Sequence, residues 1–344
     1  MNSLSKSCSA NNKRSKRITR LYAAGCLLLF AAAFLGIFVG STPLSVSGMV
    51  SAFSEGLSAT AEGKIFLYVR LPRTLASLMC GAALAVSGAV IQGVLANHLA
   101  SPSIIGVNAG AGLAVTLCTA FGVYGGLRLS FLAFFGAFAA VMTVSLLARR
   151  IGASRGTLIL LGVAVNSLLN AVSDAVVSFI PEVGIMSNDF KIGEFSAVTF
   201  DRLLPAAVFI IASLIILFTL TNELDVLTLG EDSAKALGMN TAFIRTVFFM
   251  LAAVLAGCAV SLAGLLSFVG LIVPHAIRRL AGSKSSRLLP LSALFGASFV
   301  CLCNTAATSL FSPYEIPVGI IMAFLGAPFF VFLLIKGKGG HTVA

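Results

Sequence analysis

Tryptophan is absent from this chain of 344 residues, and Asp, Glu, Lys and Arg together make up only 10% of it. So little charge cannot cover a soluble globular domain, which excludes that class. Acids are scarcer still, 12 against 23 basic residues. The excess does not read as a nucleic-acid footprint, because the basic residues sit at the ends of apolar runs rather than on a polar face interleaved with aromatics. Catalytic and metal signatures are missing as well: there is no G-x-x-x-x-G-K-[ST], no H-E-x-x-H and no G-x-S-x-G, and His98, His275 and His341 lie far apart. Neither catalytic residues nor a metal site are expected, and the chain reads as no enzyme. The cysteines (Cys8, Cys26, Cys80, Cys118, Cys258, Cys301, Cys303) include no C-x-x-C and fall mostly in apolar stretches, as small buried hydrophobes do. Ala23-Ala24-Gly25-Cys26 looks like a lipoprotein cleavage box, but the apolar stretch follows the cysteine instead of preceding it, so lipidation is not expected.

What the chain has in abundance is apolar sequence: 58% of residues are hydrophobic, with a mean hydropathy of +1.03. Runs long enough to cross a bilayer recur from end to end, which makes the fold class all-α, a polytopic membrane protein. The runs fall at 21–40, 71–95, 104–121, 129–147, 157–180, 203–220, 243–262, 266–277, 288–310 and 317–335, about ten transmembrane helices. The eighth is short and carries Gly270 and Pro274, so it must be tilted, broken or packed inside protein. Residues 1–20, with Lys6, Lys13, Arg14, Lys16, Arg17 and Arg20 and no acid, read as a disordered basic tail on the cytoplasmic side; 21–336 form one transmembrane domain and 337–344 a second cytoplasmic tail. The polar, Gly/Ser-rich 41–64 reads as an external loop.

Orientation rests on residues 267–282, where a Gly-rich apolar helix ends in Pro274, His275, Arg278 and Arg279, followed by Lys284 and Arg287 before the next run. A helix stopping in paired arginines is leaving a bilayer on its cytoplasmic side. With both termini inside, the inner segments collect 17 basic residues against 4 acids and the outer ones 6 against 8, the expected asymmetry. Small residues are dense in the spans (Gly81, Gly88, Gly106, Gly110, Gly112), so helices approach closely.

Two segments carry functional promise. Asn166, Asn170, Ser173 and Asp174 share one helical face of the fifth run. Polar groups at that depth line a translocation path or form an interhelical hydrogen-bond seam, since lipid cannot satisfy them. Residues 229–240 read as a short solvated helix, with Glu231 and Asp232 in its first turn and Gly238 as a left-handed end cap. It is either a connector or a docking element for a soluble partner.

Six collinear segments carry a family resemblance: R-L-P-R at 70–73, G-A-A-L-A-V-S-G-A-V-I-Q-G at 81–93, N-H-L-A-S-P-S-I-I-G-V-N at 97–108, L-G-E-D-S-A-K-A-L-G at 229–238, F-V-G-L-I-V-P-H-A-I-R-R at 268–279 and P-V-G-I-I-M-A-F-L-G-A-P-F-F at 317–330. On these the chain resembles the FecCD family, the permeases of ABC importers for iron–siderophore, haem and cobalamin. The resemblance implies the cobalamin/siderophore-importer permease fold and a location in the inner or plasma membrane. It also implies a dimer with a second permease subunit, identical or not, and two separate ATP-binding cassette subunits that use the ATP. An extracytoplasmic binding protein would deliver the ligand, and this chain would hold no cofactor of its own. The implied coupling residues are Gly230, Glu231, Asp232, Ala234, Ala236, Leu237 and Gly238, with Ala234, Ala236 and Leu237 as the contact face. Arg70 and Arg73, at the outer start of the second run, are implied to dock acids of the binding protein; snorkelling to headgroups is the alternative. Asn304 and Thr308 stand where family members carry Asp and Arg. The expected substrate is a ferric siderophore or similar chelate, with haem or cobalamin as alternatives. An ion-coupled secondary transporter is a rival from another class, though it would need ionisable groups near mid-bilayer. A signalling or assembly protein would not need the polar face of the fifth run.

Overall fold

The computed structural model describes residues 2–42 and 60–337, with side chains at 16–42 and 60–332. Among the described residues every regular element is helical. We number them α1 (Asn2–Phe38), α2 (Ala61–Leu95), α3 (Val107–Ala120), α4 (Gly126–Arg150), α5 (Arg155–Phe179), α6 (Pro181–Ile192), α7 (Phe200–Thr219), α8 (Thr221–Thr228), α9 (Glu231–Ala236), α10 (Thr241–Ala263), α11 (Val269–Ala281), α12 (Ser285–Ser309) and α13 (Val318–Gly337). Among the residues described with their side chains, seven are long and apolar enough to cross a membrane: α1 from Lys16, α2, α4, α5, α7, α10 and α12. Of the other three expected runs, two carry shorter helices, α3 and α11, of 14 and 13 residues, and the third carries α13, of 20 residues.

Several boundaries differ from expectation for local reasons. Residues 2–20 of the expected tail are continuous with the first span, because α1 begins at Asn2. Of the loop expected at 41–64, residues 43–59 lie outside the described residues, and 61–64 already belong to α2. Thr60 caps that helix by accepting a 3.1 Å hydrogen bond from the Gly63 amide, and a π-turn over Phe66–Arg70 carries it into the long span. The third run starts late because Pro102 opens a separate 3₁₀ turn, Pro102–Ile105, which Gly106 ends in a left-handed conformation at φ 105°. Residues 229–240 form a helix only over α9. There Gly238 takes φ 80°, and the Met239 amide bonds the Ala234 carbonyl at 3.0 Å, the cap foreseen from the sequence.

Helix α2 is the hub, packed against α1, α7, α8, α10, α11 and α12. Its small residues make this possible. A Cβ at Gly88 would lie 2.0 Å from the Gly270 carbonyl oxygen of α11, and one at Gly81 would lie 2.2 Å from that of Gly296 in α12. In a bilayer no hydrophobic effect pulls helices together, so such backbone approach supplies the dispersion contacts that do. Gln92 of α2 donates to the Gly270 carbonyl at 3.0 Å and accepts from Arg278, so the first arginine of the 267–282 stretch turns back into the bundle. The short α11 is thereby fastened inside protein, where broken helices are tolerated.

Candidate functional site

The helix ends divide the molecule. One end, here the basic end, carries Arg149, Arg150, Arg155, Arg278, Arg279, Lys284 and Arg287 together with α8 and α9. The platform formed by α8 and α9 is tied to three spans. Arg155, the first residue of α5, donates from Nη2 to the Leu227 carbonyl at the end of α8, at 2.7 Å. Asp225 of α8 accepts from the Ser285 amide at the start of α12 at 2.8 Å, placing a carboxylate at the positive end of that helix. Glu231 of α9 pairs with Arg245 of α10 at 2.8 Å and with Lys235 at 3.1 Å. Hydrogen bonds from Arg245 and then Lys235 hold the Glu231 carboxyl below the usual glutamate range, against a smaller opposing effect of burial.

What α9 offers to a partner differs from the expected face. Ala234 is 0% exposed and points into this chain, so it cannot be touched from outside. Ala236 is exposed, and Leu229 and Leu237, at 65% and 67% exposure, flank the helix as large apolar groups in the open. An α-helix cannot present residues two apart on the same face, which is why Ala234 and Ala236 separate.

The polar face of α5 splits in the same manner. Asn166 donates from Nδ2 to the carbonyls of Ser103 and Ile104, at 2.8 and 3.0 Å, satisfying the backbone of the 3₁₀ turn. Ser173 is buried beside it in helical register, while Asn170 and Asp174 are exposed. At about 100° per residue the four positions cover about 100° of arc, with Asn166 and Ser173 at one edge. At that edge Asn166 makes the hydrogen bonds and Ser173 is buried with no partner for its hydroxyl among the described residues, and the outward edge carries Asn170 and Asp174. Beyond it α5 exposes Leu160, Val163, Leu168 and Val172, a broad uncovered face in the single chain.

At the opposite end, Arg70 and Arg73, expected to dock acids of a binding protein, are engaged by this chain. Arg70 is buried and donates to the carbonyls of Val39 and Thr42, the latter at 2.7 Å, closing the C-terminal end of α1. Arg73 donates from Nε to Asn304 Oδ1 at 3.2 Å and pairs with Glu315 at 2.7 Å; Ser41 donates to the other Glu315 oxygen at 2.7 Å. Burial would raise the Glu315 pKa, but the bonds from Arg73 and Ser41 outweigh it and hold the carboxyl low. Asn304 is therefore a partner of Arg73, and Thr308 donates to the Thr305 carbonyl of its own helix. Sequence reasoning missed Glu315, Asp225, Gln92 and the tie made by Arg155. Arg155 was visible only as a charge at a helix end, and a pairing across 72 residues leaves no local pattern. No group of three or more potential metal ligands occurs among the described residues.

Comparison with known proteins places this geometry in context. Residues 27–336 match the FecCD transport family. The chain is 33% identical over 330 residues to the Fe(3+)-citrate import system permease protein YfmD of Bacillus subtilis, covering 96% of this chain and 98% of that one. It is 34% identical over 310 residues to the iron-uptake system permease protein FeuB of the same organism, covering 89% and 92%. A solved chain in an inward-facing conformation, from a transporter assigned to the metal-chelate type of ABC transporter, superposes with a TM-score of 0.81 at 32% identity, covering 92% of this chain and 99% of that one.

Proposed function

The chain belongs to the FecCD transport family, and from that premise we propose that it is the permease subunit of a binding-protein-dependent ABC importer, forming half of the translocation path for a ferric siderophore or similar iron chelate. The observation that carries the reading is the tie from the α8–α9 platform to the first residue of α5, the span whose outward edge bears Asn170 and Asp174. A displacement imposed on the exposed short helix reaches the polar edge through one rigid span, which is what a chain without its own nucleotide motif needs.

In this reading the basic end is cytoplasmic, both termini are inside, and the membrane is the cell's inner or plasma membrane. Two ATPase subunits seat on Leu229, Ala236 and Leu237 and consume the ATP, and a second permease subunit covers the open face of α5. An extracytoplasmic binding protein docks at the opposite end, on groups other than the committed guanidiniums of Arg70 and Arg73. Iron is cargo, and the chain itself performs no chemistry. The test is uptake of radiolabelled ferric citrate and ferric hydroxamate into proteoliposomes holding the complete complex, with haem and cobalamin alongside. We expect uptake of an iron chelate that requires ATP and binding protein. Uptake driven by a proton or sodium gradient without ATP would overturn the reading.

A further inference from the structure

Arg202, in the first turn of α7, is a cation at the end of a membrane span with no carboxylate within ion-pair distance among the described residues. Its described hydrogen bonds go to neutral acceptors: Nε to Ser130 Oγ at 2.8 Å, Nη1 to the Ala197 carbonyl at 2.8 Å and Nη2 to the Ser261 carbonyl at 3.2 Å. These bonds satisfy part of the guanidinium and fix its orientation, but they bring no carboxylate to it from the described residues and leave N–H groups over. An arginine at the end of a span sits at headgroup level, within reach of lipid phosphates.

The same side chain lines the head of a groove that runs down the lipid-facing side of α4 and α7, floored by Cys258 and Ser261 of α10. Below Arg202 the walls are Phe131, Phe134 and Phe135 on one side and Pro205 and Phe209 on the other. Phe134 stacks on Phe138 and on Phe209, at ring separations of 6.1 and 6.2 Å, bridging α4 to α7. Phe131, Phe135 and Phe209 remain exposed. A fixed guanidinium with no carboxylate beside it among the described residues, above an open aromatic slot, matches one occupant: a phosphate with an acyl chain beneath it. We propose that this groove is a binding site for an anionic glycerophospholipid in the leaflet farther from α9, its phosphodiester on Arg202 and one acyl chain along Phe131, Phe135 and Phe209. A zwitterionic lipid supplies the same phosphate, but its attached ammonium cancels the net attraction.

The absence of tryptophan gives a direct test. Phe131→Trp places one indole in the groove, and Ile211→Trp places one on an exposed position of α7 outside it. Each full complex is reconstituted in phosphatidylcholine vesicles doped with either brominated phosphatidylglycerol or brominated phosphatidylcholine, and the signal of the unsubstituted complex is subtracted. At Phe131→Trp we expect half-quenching at a several-fold lower mole fraction of the brominated anionic lipid. At Ile211→Trp the two lipids should quench alike. Adding Arg202→Gln to Phe131→Trp should erase the preference, and excess inorganic phosphate should leave the original preference intact. Equal quenching by both lipids at Phe131→Trp overturns the proposal, and so does a groove indole that neither lipid quenches, since a protein neighbour would then cover it. Loss of the preference in phosphate overturns the lipid assignment in favour of a free anion. If Arg202→Gln fails to insert, the comparison between lipids at Phe131→Trp still decides.

Discussion

Arg155 Nη2 lies 2.7 Å from the Leu227 carbonyl oxygen, a single bond joining the head of α5 to the end of α8. A hydrogen bond from a charged donor contributes about 1.5–3 kcal/mol, enough to bias a two-state element without being needed for the fold. Arg155→Ala should leave the protein inserted and associated with the ATPases, while transport per ATP hydrolysed falls about tenfold, since 1.4 kcal/mol is a factor of ten. Uptake and hydrolysis measured on the same proteoliposomes check this; an unchanged ratio removes Arg155 from the coupling route.

Leu237 and Ala234 sit three residues apart and should behave oppositely. Leu237→Asp alters an exposed apolar group, so the permease should fold normally and lose co-purifying ATPase. Ala234→Asp puts a charge where there is no space and no solvent, which destabilises strongly because a buried charge without a partner is not tolerated. Membrane insertion and pull-down of the two variants separate the effects, and ATPase retention by Leu237→Asp would discard the contact face.

Cysteine scanning distinguishes the two edges of the α5 stripe. In a background cleared of native cysteines, Asn170→Cys and Asp174→Cys should react with a water-soluble thiol reagent at rates that change with nucleotide state. Ser173→Cys should stay protected throughout, since its neighbours bury it. Uniform protection at 170 and 174 would assign the outward edge to lipid or to a dry interface.

The pair Arg73–Glu315 sets an acid limit on stability. The folded-state pKa of Glu315 is depressed below its ordinary value of 4.5, so the pair's contribution is fully present above pH 4.5 and is lost as pH falls through the lowered value. With Glu315 one-third exposed the contribution is at most about 1 kcal/mol. Thermal unfolding of the detergent-purified protein should decline below pH 4.5, and Glu315→Gln should lie lower at neutral pH with a shallower decline. Superimposable curves for the two proteins would contradict this.

Gly88 and Gly112 give a packing contrast. Gly88→Ala would put a Cβ 2.0 Å from the Gly270 carbonyl oxygen, so α2 and α11 must part, and it should destabilise by about 1–3 kcal/mol or block assembly, whereas a Cβ at Gly112 meets nothing within 4 Å. Gly112→Ala should be neutral or slightly stabilising, as expected for glycine replaced in a helix. Unfolding midpoints of both variants test the contrast, and equal effects would argue against close approach as the reason for glycine at 88.

The sequence by itself determined the class, the positions of the apolar helices and the family. Those follow from run length, helix-end charge and turn chemistry, all of which act over a few neighbouring residues: Gly238 capped α9 as foreseen, and α5 kept the register that groups Asn166 with Ser173. The tertiary structure alone decided which atoms each polar residue faces. Arg70 and Arg73 look free in the sequence because their partners, Val39, Thr42, Asn304 and Glu315, lie 28 to 242 residues away. Ala234 and Ala236 look equivalent until α9 is set on its neighbours. The reason is geometric: helical periodicity fixes which residues share a face, but only the packing of other helices chooses the face that is covered, and in a chain this apolar that choice turns on a few glycines and long arginines.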